Sequence, residues 1–321
     1  MKADLKTILQ TETIMVIDGS MSTPLERMGA DLNDPLWTAK VLRDQPELIK
    51  KVHRDYLRAG ADCGITASYQ ATIPGLIKNG LTEEEATHVI ADSVRVFVEA
   101  RDEWWKEEGE ALCRQYPLCL GSVGPYGAYL ADGSEYRGKY SVSDEELVDF
   151  HRPRMEILKD AGADMLLIET IPSRREALVC ADMAEELGID YWVSYSCLSG
   201  KSICEGDPIL DCISELAKNH PHLKMVGVNC THPKFIVSLI GEIKAGLKEA
   251  RRDIPIAVYP NSGEEYDPDT KAWTKAGEGL AFGAYAYEYM KAGASAVGGC
   301  CTTVASHIRQ VAEARKKFLK D

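Results

Sequence analysis

Short apolar runs alternate along the chain with longer stretches whose apolar positions recur every three to four residues. The runs 14–17, 61–66, 117–121, 164–168, 191–196, 224–228, 255–259 and 295–297 predict buried strands. Between and after them, helices are predicted over 46–59, 82–107, 143–161, 174–187, 208–218, 233–249, 279–292 and 304–318. The first of these shows Leu48, Ile49, Val52, Tyr56 and Leu57 on one face and stops at Gly60. Two others open on capping boxes, Thr82 with Glu85 and Ser143 with Glu146. The tyrosine-rich segment 128–140 predicts an extended loop over the site, and 198–206 predicts another loop.

Strand and helix therefore alternate eight times with no linker or low-complexity break, so residues 1–321 read as one domain. Eight such units predict an α/β fold of the (βα)8 barrel type, whose chemistry gathers at the carboxyl ends of the strands. A doubly wound sheet would need a dinucleotide turn, and the tract 121–127 lacks the GxGxxG spacing. Glu145 and Glu146, about where such a turn would want an acidic partner, open a helix instead of ending a strand.

The residues just past the predicted strands are Asp18, Thr66 to Gln70, Gly124-Pro125, Glu169, Asn229-Cys230, Asn261 and Cys300-Cys301. The cysteine pair follows Gly298-Gly299, which permits the bend needed to turn both thiols toward one point. With Cys230 they make three thiolates from two strand ends. That predicts a three-cysteine Zn2+ site with its fourth position open, the catalytic arrangement. The remaining thiols read differently: Cys63, Cys113, Cys180 and Cys212 are expected to pack as small hydrophobes. His151 and His232 lack metal-type spacing and are read as structural.

Composition narrows the class. A hydrophobic content of 45% with 27% charged residues describes a globular chain with ample core. A net charge of -13 argues against nucleic acid or an anionic membrane surface as partner. No apolar stretch predicts a signal peptide or a membrane span, and ten cysteines without a secretion signal suit a reducing, cytoplasmic setting.

Asp18-Gly19, Asn229-Cys230, Tyr259-Pro260-Asn261-Ser262-Gly263-Glu264 and Gly298-Gly299-Cys300-Cys301 together resemble the homocysteine S-methyltransferase family. Within it, Asp34-Pro35-Leu36-Trp37, the tract 65–71 and the tract 121–136 look most like the enzymes that use S-methylmethionine. The resemblance spans about residues 14 to 303. It implies a (βα)8 barrel in which Cys230, Cys300 and Cys301 hold Zn2+ and the thiol of homocysteine takes the open position. It further implies that Asp18 and Glu169 recognise the ammonium of homocysteine. Asn261 is a further substrate-site candidate, although Pro260-Asn261-Ser262-Gly263 is also a good turn sequence. Trp37 and Tyr126 are candidates to face a sulfonium, since an aromatic face attracts a desolvated cation.

Other readings stay open at this level. The donor is S-methylmethionine, S-adenosylmethionine or betaine, and the acceptor is homocysteine or another thiol or selenol. A non-catalytic zinc-storage or redox-sensing protein would also use the thiol cluster, but it gives no reason for Asp18 and Glu169 at strand ends. The chain departs from the family pattern at Ser20, at Thr302 and across 197–207, where Cys204 adds a further thiol.

Overall fold

The computed structural model describes residues 3–34, 36–263, 266–267, 272–273 and 281–321. Pro35, Glu264 and the start of the helix expected over 279–292 lie outside the described residues. The strands are β1 (Met15–Val16), β2 (Cys63–Ile65), β3 (Leu118–Val123), β4 (Met165–Ile171), β5 (Tyr191–Tyr195), β6 (Leu223–Asn229) and β7 (Ile256–Tyr259). They are followed by β8 (Tyr266–Asp267), β9 (Ala272–Trp273) and β10 (Ala296–Val297). All but the antiparallel pair β8 and β9 join one parallel eight-stranded sheet, in the order β1-β10-β7-β6-β5-β4-β3-β2. With helices packed around it, this sheet is the (βα)8 barrel that the alternating pattern predicts.

Closing the barrel requires β1 to meet β2, and two aspartate side chains make that seam. On the side nearer the strand starts, the Asp62 N–H donates to the Val16 carbonyl at 2.7 Å, and Asp62 Oδ2 accepts from the Val16 N–H at 2.7 Å. At the other end Asp18 Oδ2 accepts from the Ile65 N–H at 2.9 Å. Asp62 is wholly buried and also pairs with Arg114 at 2.8 Å and Arg315 at 2.6 Å.

Side chains alternate across the barrel wall with the two-residue period of a strand. Met15, Ile17, Leu118, Leu120, Met165, Leu167, Trp192, Met225, Ala257, Tyr259 and Ala296 fill the interior. Their neighbours Val16, Cys119, Leu166, Ile168, Val193, Val226 and Val258 face the surrounding helices. Ile8, on a helix Leu5–Glu12, packs into the interior cluster. Carried upward, the inward register brings Ser122, Glu169, Asn229 and Cys300 to the carboxyl end.

The sequence pattern does not show the short helices Ser22–Arg27, Thr38–Asp44, Ile73–Lys78 and Tyr126–Leu130, which sit in connections after strands. Elements this short hold too few turns for a helical period to emerge. Tyr126–Leu130, with a 3-10 turn at Ser134–Tyr136, gives structure to the segment expected as an extended loop. Both capping boxes are present, and the helix from Glu83 ends at Trp104 before a π turn over Trp105–Gly109. Cys113 is a correction: it is exposed rather than packed, whereas Cys63, Cys180 and Cys212 are buried as expected. Among the described residues no helix is long and apolar enough to cross a membrane.

Removing one member of a buried, paired charge group strands the others, at a cost of about 3–5 kcal/mol. Asp62→Ala is therefore expected to lower the unfolding free energy by about that amount, read as a lower urea midpoint; an unchanged midpoint would show that the seam does not depend on this carboxylate.

Candidate active site

Three cysteines converge at the carboxyl end of the barrel. Cys230 follows β6, and Cys300 and Cys301 follow β10, with β7 lying between those strands. The chain after β7 ties them together: the Cys230 N–H donates to the Tyr259 carbonyl at 3.3 Å and the Cys300 N–H to the Pro260 carbonyl at 2.8 Å. The Ser262 N–H in turn donates to the Cys301 carbonyl at 3.2 Å. Cys230 adopts a left-handed φ of 49°, and Thr302, next to the pair, one of 64°. Non-glycine residues in that region carry strain of about 1–3 kcal/mol, and such strain is concentrated at functional sites.

Gly298 and Gly299 have a further role besides the bend expected of them. Neither has a positive φ. A Cβ on Gly298 would come within 2.5 Å of the Ile17 Cβ, and one on Gly299 within 2.5 Å of the Thr303 hydroxyl. Absence of side chains there lets the chain after β10 lie against β1. Thr303 then fixes the turn by donating to the Cys300 carbonyl at 2.6 Å and accepting from the Ser20 N–H at 3.2 Å. Thr302, where the family pattern differs, bonds Ser262 through its hydroxyl at 2.6 Å, and the Ser20 hydroxyl bonds Ser22 at 3.0 Å.

The sulfurs of Cys230, Cys300 and Cys301 lie within 4.8 Å of one another, with Cys230 and Cys301 at 3.3 Å. Sulfurs about 2.3 Å from a tetrahedral ion stand about 3.8 Å apart, so the triad has the size and donor set to hold one. Among the described residues no further His, Cys, Asp or Glu joins the group. The Cys300 thiol is pushed well above its usual range by its hydrogen bond with Cys230; burial and the charges of Cys230 and Glu169 add to this, and its bond with Cys301 opposes it. A bound cation would reverse this preference by drawing out thiolates.

Below the sulfurs lies a buried polar layer. Glu169 Oε1 accepts from the Ser122 hydroxyl at 2.5 Å, and Oε2 accepts from the Tyr259 hydroxyl at 3.2 Å and Asn229 Nδ2 at 3.5 Å. Asn229 Nδ2 also reaches Cys300 Sγ at 3.8 Å and the Thr170 hydroxyl at 2.7 Å, and Asn229 Oδ1 accepts from the Thr170 N–H at 2.9 Å. These bonds hold Thr170 at φ 59° within an irregularity of β4. Burial raises the Glu169 carboxyl to about 7, against the lowering effect of its Ser122 and Tyr259 bonds. Burial also raises Asp18 well above the carboxylate range, with the nearby Glu169 charge adding to it. Asp18 Oδ1 and Asn261 Oδ1 are buried without a partner among the described residues. Leaving a buried acceptor unmatched costs about 1–3 kcal/mol, so the site is built to receive a donor-rich ligand.

The aromatic candidates divide. Trp37, at φ 49°, sets its ring edge-on to Tyr69 with centroids 6.2 Å apart. Burial raises the Tyr69 hydroxyl, the Glu135, Cys230 and Glu169 charges raise it further, and its hydrogen bond with Thr170 opposes them. Tyr126 is seated elsewhere, its ring packed on Phe150 at 4.9 Å and Tyr140 at 5.4 Å. Further along the same loop, the Tyr136 hydroxyl meets Cys230 Sγ at 3.5 Å. Tyr69 lies in the tract 66–70 just past the second strand and Tyr259 opens the motif 259–264, but the sequence alone assigns no site role to them, to Ser122 or to Tyr136; the inward register of β3 and β7 marks Ser122 and Tyr259, while nothing local marks Tyr136. His151 bonds Glu176 at 2.9 Å, and His232 accepts from the Lys234 N–H at 3.2 Å; neither joins the sulfur group.

Cys301→Ala is expected to abolish tight metal binding by the purified protein, measured by elemental analysis, while the far-ultraviolet circular dichroism stays that of the wild type. Retention of a full equivalent of metal would remove Cys301 from the site.

Comparison with known proteins agrees with this fold. The sequence profile described as Homocysteine S-methyltransferase matches residues 15–315. Homocysteine S-methyltransferase YbgG of Bacillus subtilis is 48% identical over 309 residues, 96% of each chain. Homocysteine S-methyltransferase 1 of Zea mays is 45% identical over 313 residues, 94% of each. The metallated form of the homocysteine methyltransferase MmuM from Escherichia coli superposes with a TM-score of 0.85 at 38% identity, covering 96% of this chain and 98% of that one. The chain belongs to the homocysteine S-methyltransferase family.

Proposed function

We propose that this protein transfers a methyl group from S-methylmethionine to the thiol of L-homocysteine, forming methionine. The observation that carries the reading is the triad of Cys230, Cys300 and Cys301 set beside two buried carboxylates, one of which keeps an oxygen unpaired among the described residues. We assign Zn2+ to the triad, because three thiolates with an open corner are the donor set of a catalytic zinc site. That the Escherichia coli relative has a metallated form supports a metal in this chain as well. Bound there, the ion would keep a coordinated substrate thiol deprotonated near neutral pH, where a free thiol of pKa about 8.5 is mostly protonated.

The chain's own residues supply the rest. Asp18 Oδ1 and the Glu169 carboxylate receive the ammonium of homocysteine, whose positive charge favours their ionised forms. Asn229 touches both Glu169 and Cys300, so a single amide sets the spacing between the ammonium pocket and the sulfurs. Trp37, Tyr69 and Tyr136 give the donor side aromatic faces suited to a sulfonium. In the transfer, a lone pair of the homocysteine sulfur forms the new C–S bond as the donor's C–S bond breaks, and the electron pair of that bond leaves on the donor sulfur. The sulfonium's positive charge and the thiolate's negative charge cancel, no electron is exchanged with a third party, and with S-methylmethionine both products are methionine. A step in which charge disappears is favoured where water is scarce.

The test is methionine formation from L-homocysteine and S-methylmethionine by the reduced, zinc-loaded protein. Turnover is expected to vanish when a chelator strips the metal and to return with added zinc. No turnover with one zinc per chain still bound would contradict the proposal.

A further inference from the structure

A second carboxylate site lies on the loop above the triad. Glu135 precedes Tyr136, whose hydroxyl meets Cys230, and its charge acts on the Tyr69 hydroxyl. Glu135 Oε2 is buried with no hydrogen-bond partner among the described residues. The nearby guanidinium of Arg137 bonds the Asp132 carbonyl at 2.7 Å instead.

The loop is held in place, so this carboxylate is positioned rather than stray. At its start the Tyr126 N–H donates to Glu176 Oε1 at 2.6 Å, and near its end the Tyr140 hydroxyl bonds the same carboxylate. Glu176 is wholly buried and is held in turn by His151 at 2.9 Å, while the Lys139 N–H donates to Glu205 at 2.7 Å. At Glu135 itself, the Ser196 hydroxyl donates to the backbone carbonyl at 3.3 Å, and Gly127 approaches so closely that a Cβ there would lie 2.6 Å from the Glu135 nitrogen. A carboxylate oxygen buried on a fixed loop without a donor among the described residues, with the positive charge of Arg137 acting on it from nearby, can take a further cation. Asp18 and Glu169 stand on β1 and β4, on the barrel itself, and are committed to the acceptor's ammonium; Glu135 comes from the overlying loop.

We infer that Glu135, with the faces of Tyr69 and Tyr136, forms the subsite that recognises the positive charge of the methyl donor. The inference rests on the methyl-transfer reading above and adds the residue that selects an onium cation over its neutral thioether. Once the donor has given up its methyl it is neutral at sulfur, and its attraction to Glu135 falls, which favours product release.

The experiment compares wild type with Glu135→Gln and Glu135→Asp, all zinc-loaded, using S-methylmethionine, S-adenosylmethionine and glycine betaine as donors in parallel. For whichever donor turns over, Glu135→Gln is expected to raise the donor KM about tenfold, the worth of one charge-assisted contact. Glu135→Asp should recover part of the loss, and zinc content and the homocysteine KM should not move. An unchanged donor KM in Glu135→Gln overturns the subsite. Turnover with a donor other than S-methylmethionine overturns the donor assignment alone, because the Glu135 comparison is then read on that donor. Titration calorimetry on the unaltered protein gives a check that needs no variant: S-methylmethionine should bind at least about tenfold more tightly than methionine, and equal affinities would overturn the subsite.

Discussion

The barrel depends on closing a seam between β1 and β2. No backbone ladder joins β1 to β2, and aspartate side chains complete the pairing from both ends. Asp62 does so from within a buried group of two arginines, which offsets its desolvation. Asp18 does so alone, with one oxygen on the Ile65 N–H and the other facing no donor among the described residues. The contact that holds the last gap of the barrel therefore also leaves a buried carboxylate oxygen at the carboxyl end, where the site forms. Glycines at 298 and 299 belong to the same constraint, since they let the chain after β10 lie against β1 and bring Cys300 and Cys301 to the rim.

From that rim the site is layered. Polar side chains in the inward register of β3, β4, β6 and β7 make its floor, and their bonds converge on Glu169. The sulfur triad sits above, linked to the floor through Asn229. The loop 126–140, anchored through Glu176, forms the next layer and presents Tyr136 to Cys230. Strained φ values at Trp37, Thr170, Cys230 and Thr302 fall within or beside these layers. The sequence pays no attention to propensity at those positions; the surrounding bonds hold them in place.

Much of this was legible in the sequence, for physical reasons that differ by element. All eight strands of the barrel announce themselves because buried parallel strands are apolar on both faces. The thiol triad is legible because two adjacent cysteines after two glycines at a strand end have no packing rationale, and Cys230 ends a matching run. Those glycines are also required by close approach, a long-range property that adjacent residues do not reveal. Short helices in the loops escape because periodicity needs length. Tyr126 and Tyr136 share one tyrosine-rich loop, and only the folded path of that loop decides that the first packs on Phe150 while the second reaches the sulfurs.

The central claim is that three cysteine sulfurs hold a zinc ion whose open corner takes the thiol of homocysteine. Zinc X-ray absorption spectroscopy of the loaded protein, with and without L-homocysteine, addresses it most directly. The account predicts three sulfurs at about 2.3 Å from the metal, rising to four when homocysteine binds. A metal shell with fewer than three sulfurs, or one that homocysteine leaves unchanged, would contradict it.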